Sequence, residues 1–175
     1  MIGPVRIGPR HARVARSITG FTLLELMVTV AVAAIIAVLA APSFREYILN
    51  QRIKNASYDL ISSLSLARSE AITRNASVNV VQNTGGWING WCVTTDTVCG
   101  NTNQLLAHEA FNSGISISAS GSPATITYGA AGRARTAATV FTVQAATAVT
   151  GVTPRYVTLC LSGTARSTTS NSGGC

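Results

Sequence analysis

Few side chains in this 175-residue chain could do chemistry, and their neighbours limit what that chemistry is. Glu25 stands out as the single charge in the apolar stretch of residues 21–41, FTLLELMVTVAVAAIIAVLAA. An ionisable group at that depth in lipid costs about 3 kcal/mol and usually marks a function. His108 is the one histidine beyond the first twenty residues, and beside Glu109 it reads as half of a surface pair. The sequence shows no Ser/His/Asp grouping, metal-ligand spacing or phosphate loop, so it reads as a non-enzyme with no cofactor and no metal. Cys92, Cys99, Cys160 and Cys175 lack the two-residue spacing of a zinc knuckle or redox motif. An even number of them beyond a membrane segment fits disulfides in an oxidising compartment such as a bacterial periplasm. Free buried thiols in a cytosolic domain are the alternative. Three pairings are possible, and the local one, Cys92–Cys99 with Cys160–Cys175, is favoured because each bridge would pin a loop or the tail. Arg133, Arg135, Arg155 and Arg166 are the cations after Arg74. Two arginines in a Gly/Ala loop could grip adjacent phosphates, or could be a solvated loop or a protein contact.

These residues need elements to position them. At about 1.5 Å per residue, residues 21–41 span roughly 30 Å as a helix, the thickness of a bilayer's hydrocarbon core. Arg6, Arg10, Arg13 and Arg16 precede that stretch with no acid among them, which predicts a cytoplasmic N-terminus and a C-terminal domain across the membrane. Without those four, nine basic residues face six acidic ones, so the formal charge of +7 does not imply a nucleic-acid partner. A secretory signal would have a shorter apolar run, and cleavage after Ala41 would set Pro42 beside the scissile bond. An ordinary anchor would have no use for Glu25. Farther along, Ile53, Ala56, Leu60, Leu64, Ala67 and Ala71 recur every three or four residues, predicting an amphipathic helix that ends near Arg74-Asn75. Beyond it, Thr, Ser, Gly and β-branched residues alternate in short runs. Strands are expected at 77–82, 87–94, 115–119, 124–128, 138–144 and 155–161, with turns at Gly85-Gly86, Gly100-Asn101, Gly121-Ser122-Pro123 and Gly151. They should form an antiparallel sheet packed on the helix.

Gly20-Phe21-Thr22-Leu23-Leu24-Glu25-Leu26, at the junction of basic leader and apolar stretch, resembles the class III signal of type IV prepilins and pseudopilins. The resemblance implies that a prepilin peptidase cuts between Gly20 and Phe21 on the cytoplasmic side and then methylates the nitrogen of Phe21. It also implies a partner for Glu25, the α-ammonium of a neighbouring subunit, so that the pair sets axial register in a filament. An ion pair offsets much of the cost of removing each charge from water. Pro42 matches a proline common in pilins and should kink or locally melt the helix near the membrane exit.

The later segments Trp87-Ile88-Asn89-Gly90-Trp91 with Val93, Ile126-Thr127-Tyr128-Gly129, Thr139-Val140-Phe141 and Arg155-Tyr156-Val157-Thr158-Leu159 resemble the GspH/FimT branch in order and spacing. Trp87 and Trp91 read as core aromatics. Some members of that branch bind DNA for natural transformation and carry Gly-Arg-x-Arg after the last strand. Here Gly132-Arg133-Ala134-Arg135 comes too early, and the corresponding place reads Gly163-Thr164-Ala165-Arg166, with one arginine replaced by threonine.

The expected fold is therefore α+β and pilin-like, a long transmembrane and amphipathic helix packed on antiparallel sheet. Its parts are a cleaved basic leader (1–20), a transmembrane or filament-core helix (21–41), an amphipathic periplasmic helix (42–75) and a β-rich periplasmic domain with a disulfide-tied tail (76–175). The expected function is that of a minor pilin or pseudopilin, single-pass in the inner membrane. It would join a periplasmic pseudopilus or type IV pilus with other pilins and an inner-membrane assembly platform, for secretion or pilus biogenesis. DNA binding through Arg133, Arg135 and Arg166 is the alternative.

Overall fold

The computed structural model describes residues 20–111, 114–171 and 174–175. The leader read at 1–20 thus lies outside the described residues except for Gly20. The chain divides between Ala40 and Ala41 into two compact units. In secondary structure, α1 runs from Leu23 to Arg74, and Pro42 falls inside it without ending it. A proline removes one backbone donor, and the remaining i to i−4 bonds can hold the helix together.

In the second unit, the stripe Ile53, Ala56, Leu60, Leu64, Ala67 and Ala71 is buried at every position. Small residues alternate with large ones there, so the helix backbone can approach a sheet closely. Arg74 pairs with Glu70 at 2.7 Å one turn back, and Asn75 takes a positive φ of 50° where the helix stops.

Eight strands follow: β1 (Val78–Gln82), β2 (Trp91–Thr94), β3 (Gln104–His108), β4 (Ile115–Ala119), β5 (Thr125–Tyr128), β6 (Thr139–Ala145), β7 (Arg155–Leu159) and β8 (Ala165–Thr168). They make two four-stranded antiparallel sheets, ordered β3-β2-β1-β5 and β4-β6-β7-β8. Alternation is clearest in β6, whose Thr139, Phe141 and Val143 are buried while their neighbours are not. Val80, Val93, Ile126, Tyr128, Val157 and Leu159 join Phe141 and Val143 in the core against the helix stripe.

Three local expectations need correction. The strand read at 87–94 opens instead as a short 3-10 turn, Trp87–Asn89, because Gly86 and Gly90 take φ values of 107° and 89° that no extended strand allows. Trp91 then begins β2. Strands β3 and β8 were not expected at all. Neither buries a residue fully, so the alternation that makes a strand readable is weak in both.

The indole N–H groups of both core tryptophans have partners. Trp91 Nε1–H donates to Ser63 Oγ at 2.8 Å, and the Ser63 hydroxyl donates in turn to the Asp59 carbonyl at 2.8 Å. Trp87 Nε1–H donates to the Pro123 carbonyl at 3.1 Å, and its ring meets Phe141 edge-on at 4.9 Å. Both tryptophans are core members.

Candidate functional site

The N-terminal segment begins with Gly20 and Phe21 in the open, Phe21 being 81% exposed, just before the helix. Thr22 Oγ1 accepts the Glu25 N–H at 3.2 Å, and Glu25 Oε2 accepts the Thr22 N–H at 3.5 Å. This reciprocal cap satisfies two donors that a helix start leaves orphaned. It also puts the carboxylate at the positive end of the helix macrodipole. Glu25 therefore does local work in addition to any pairing with another chain. The sequence reading assigned it only the second role, although the Thr-x-x-Glu spacing that signals such a cap is present at residues 22–25. Following it, Leu23–Ala40 is apolar and long enough to cross a membrane, and none of it is buried within the protein.

The arginines lie at a second place, where two turns meet the helix. In the first turn Gly132 N–H donates to the Gly129 carbonyl at 2.8 Å, and Gly129 N–H to the Arg133 carbonyl at 3.0 Å. In the second, Gly163 N–H donates to the Cys160 carbonyl at 2.8 Å, and Cys160 N–H to the Thr164 carbonyl at 3.0 Å. Gly132 and Gly163 take φ of 69° and 83°, and a Cβ on Gly163 would collide with the Gly132 carbonyl oxygen. The Gly-Arg-Ala-Arg and Gly-Thr-Ala-Arg turns, 31 residues apart in sequence, are thus in contact. Arg68 of the helix packs against both, its Nε 3.3 Å from the Cβ position of either glycine. Arg133, Arg135 and Arg166 are exposed. Beneath them Tyr128 is fully buried, and its hydroxyl has no hydrogen-bond partner among the described residues. Burial pushes its phenol well above the ordinary tyrosine range, with the Arg68 charge pulling weakly the other way.

Cys92 is bonded to Cys99, across a Cα–Cα distance of 5.7 Å, and Cys160 to Cys175, across 5.5 Å. The first bridge holds the loop after β2 against the sheet. The second ties the tail to the end of β7.

His108 is placed differently from the surface pair read with Glu109. Its ring stacks on Trp91 at 4.3 Å and 17°, and Nε2 lies 3.4 Å from Asp59 Oδ2 on the helix. Nδ1–H donates to the Glu109 backbone carbonyl at 2.8 Å rather than to its carboxylate. These contacts hold β3 to α1. Among the described residues no cluster of His, Cys, Asp and Glu could hold a metal ion.

Comparison with known proteins separates the same two regions. The prokaryotic N-terminal methylation motif matches residues 16–41, which contain Gly20, Phe21 and Glu25. The family described as type II transport protein GspH matches residues 56–172, about two thirds of the chain. The chain belongs to the GspH family. Two crystal structures of the type IV minor pilin FimU from Pseudomonas aeruginosa PAO1 share its fold. One is 17% identical, with a TM-score of 0.58, and the match covers 66% of this GspH-family chain and 87% of FimU. The other is 18% identical, with a TM-score of 0.55, covering 66% and 91%. Family and fold are those of structural pilins, and the spine helix with its two sheets is the minor-pilin architecture.

Proposed function

We propose that this GspH-family chain is a filament subunit held first in the inner membrane. A prepilin peptidase cuts between Gly20 and Phe21 and methylates Phe21. The apolar helix remains as anchor, with Pro42 as a point where it bends. An assembly platform then builds the subunit, with other pilins, into a periplasmic pseudopilus or type IV pilus that serves secretion or pilus biogenesis. The observation that carries this reading is the methylation motif over residues 16–41 with Glu25 at the capped start of a bare apolar helix. A carboxylate there is tolerable in lipid only with a compensating cation, and the freed amino terminus of a neighbour supplies one. Affinity capture of the full-length chain from native membranes tests it. The wild type should bring down other pilins. Glu25→Ala should insert in the membrane equally well and lose them, and undiminished capture would contradict the reading.

One observation favours a second role, binding of a nucleic-acid backbone. The two arginine turns that sequence separates lie against each other, with Arg68 beside them. Arg133, Arg135 and Arg166 then present three exposed guanidinium groups without a carboxylate partner among the described residues. Such a group would bind phosphates with steep salt dependence. A mobility shift of duplex DNA by the full-length protein, lost on replacing these three by alanine, supports it. A shift unchanged in the triple variant removes it.

A further inference from the structure

A groove of about 640 Å³ lies on the face of the first sheet opposite the helix stripe, and none of the arginine-turn residues lines it. Its floor is the row Val81, Cys92 and Ala107, paired abreast across β1, β2 and β3. The Cys92–Cys99 bridge and Val98, 54% exposed, form one wall. The rim is built from Gln82, Asn83, Asn89 and Gln104, and among the described residues no charged side chain lines the groove.

Three of these amides have one end already committed to the backbone. Asn83 Nδ2 donates to the Asn89 carbonyl at 2.9 Å, and Asn89 Nδ2 to the Thr84 carbonyl at 3.0 Å. Gln104 Oε1 accepts the Gly100 N–H at 2.8 Å. The other ends, Asn83 Oδ1, Asn89 Oδ1 and Gln104 Nε2, have no hydrogen-bond partner among the described residues. Two acceptors and one donor are therefore held in place at the rim of a partly apolar cleft. The loop that carries the asparagines is itself braced, since a Cβ on Gly90 would run into the His108 carbonyl oxygen and the asparagine amide packs over Gly85. Groups fixed in advance lose little freedom on binding, which is how a small polar ligand gains affinity. A cleft of this size with a few oriented polar groups has the dimensions of a small-molecule site.

We propose that this groove recognises an uncharged saccharide, a property beyond the filament role above. The lack of lining charge disfavours phosphates, carboxylates and ammonium groups. Each sugar hydroxyl both donates and accepts, so one or two hexose rings can satisfy the lone carbonyl oxygens and the lone NH₂ together. The C–H faces of the rings would lie on Val98, Ala107 and the disulfide. An extended peptide fits less well, because it would seek the open ladder along an edge strand, and this groove lies on the sheet's face, across β1, β2 and β3.

Saturation-transfer NMR on the full-length chain in lipid nanodiscs tests this, with cellobiose, N,N′-diacetylchitobiose and the blocked peptide N-acetyl-glycylglycine amide as probes. The wild type should transfer saturation to ring protons of at least one disaccharide and not to the peptide. Gln104→Ala should weaken binding about fivefold, the loss of one hydrogen bond. Val98→Glu, at a position 54% exposed, should abolish it by crowding and charging the wall, with an unfolding midpoint matching the wild type as its folding control. Arg133→Ala should leave it unchanged. Transfer to neither disaccharide, transfer to the peptide alone, or transfer that persists undiminished in Val98→Glu would overturn the proposal.

Discussion

Replacing Glu25 by glutamine separates the two roles that its position gives it. Glutamine at the third helical position serves a capping box as glutamate does, so Glu25→Gln keeps the bond to the Thr22 N–H and removes only the charge. Thr22→Val does the reverse, because it loses the hydroxyl that accepts the Glu25 N–H and leaves the carboxylate. A lost cap costs about 1 kcal/mol, roughly fivefold in an equilibrium. An ammonium left unpaired in an apolar filament core costs about 3 kcal/mol, on the order of a hundredfold. The assay is the fraction of membrane-inserted subunit recovered in sheared filaments with its native partners, counted by quantitative mass spectrometry. Glu25→Gln should fall about as far as Glu25→Ala, while Thr22→Val stays within about an order of magnitude of wild type. If the glutamine variant assembled normally and the valine variant did not, the carboxylate would be a helix cap and the intersubunit pairing would be wrong.

Three further outcomes follow from the β-rich unit. Gly163→Ala forces a side chain into a φ of 83° and against the Gly132 carbonyl, and should cost about 1–3 kcal/mol in urea or thermal unfolding, with both arginine turns displaced. Ser63→Ala leaves the buried Trp91 N–H without its acceptor and should destabilise by about 1–3 kcal/mol, with a changed tryptophan fluorescence spectrum. Removing the bridge over a separation of 15, Cys160–Cys175, should cost about 3 kcal/mol, and removing the one over 7, Cys92–Cys99, about 2 kcal/mol, measured on paired serine variants.

Local patterns were legible in the sequence, and contacts between distant segments were not. The stripe from Ile53 to Ala71 declares itself because every member is driven into one core, and each turns out buried. Strand β6 alternates for the same reason. Strands β3 and β8 send no residue fully into the core, so Gln104–His108 and Ala165–Thr168 carry no clear period. The Trp87–Asn89 turn was hidden because aromatic and β-branched residues favour a strand there, while the flanking glycines decide the backbone. His108 illustrates the same limit: its neighbour in sequence is Glu109, but its carboxylate partner comes from Asp59, on a different element. The contact between the turns at Gly132 and Gly163 depends on how the two sheets meet, which no local spacing encodes.

Intact mass and N-terminal sequencing of the protein recovered from native membranes bear most directly on the central claim. The account predicts a chain that starts at Phe21, carries one added methyl group on its α-nitrogen and retains the whole apolar helix. A chain that keeps its first twenty residues, or one that starts beyond Ala41, would contradict it.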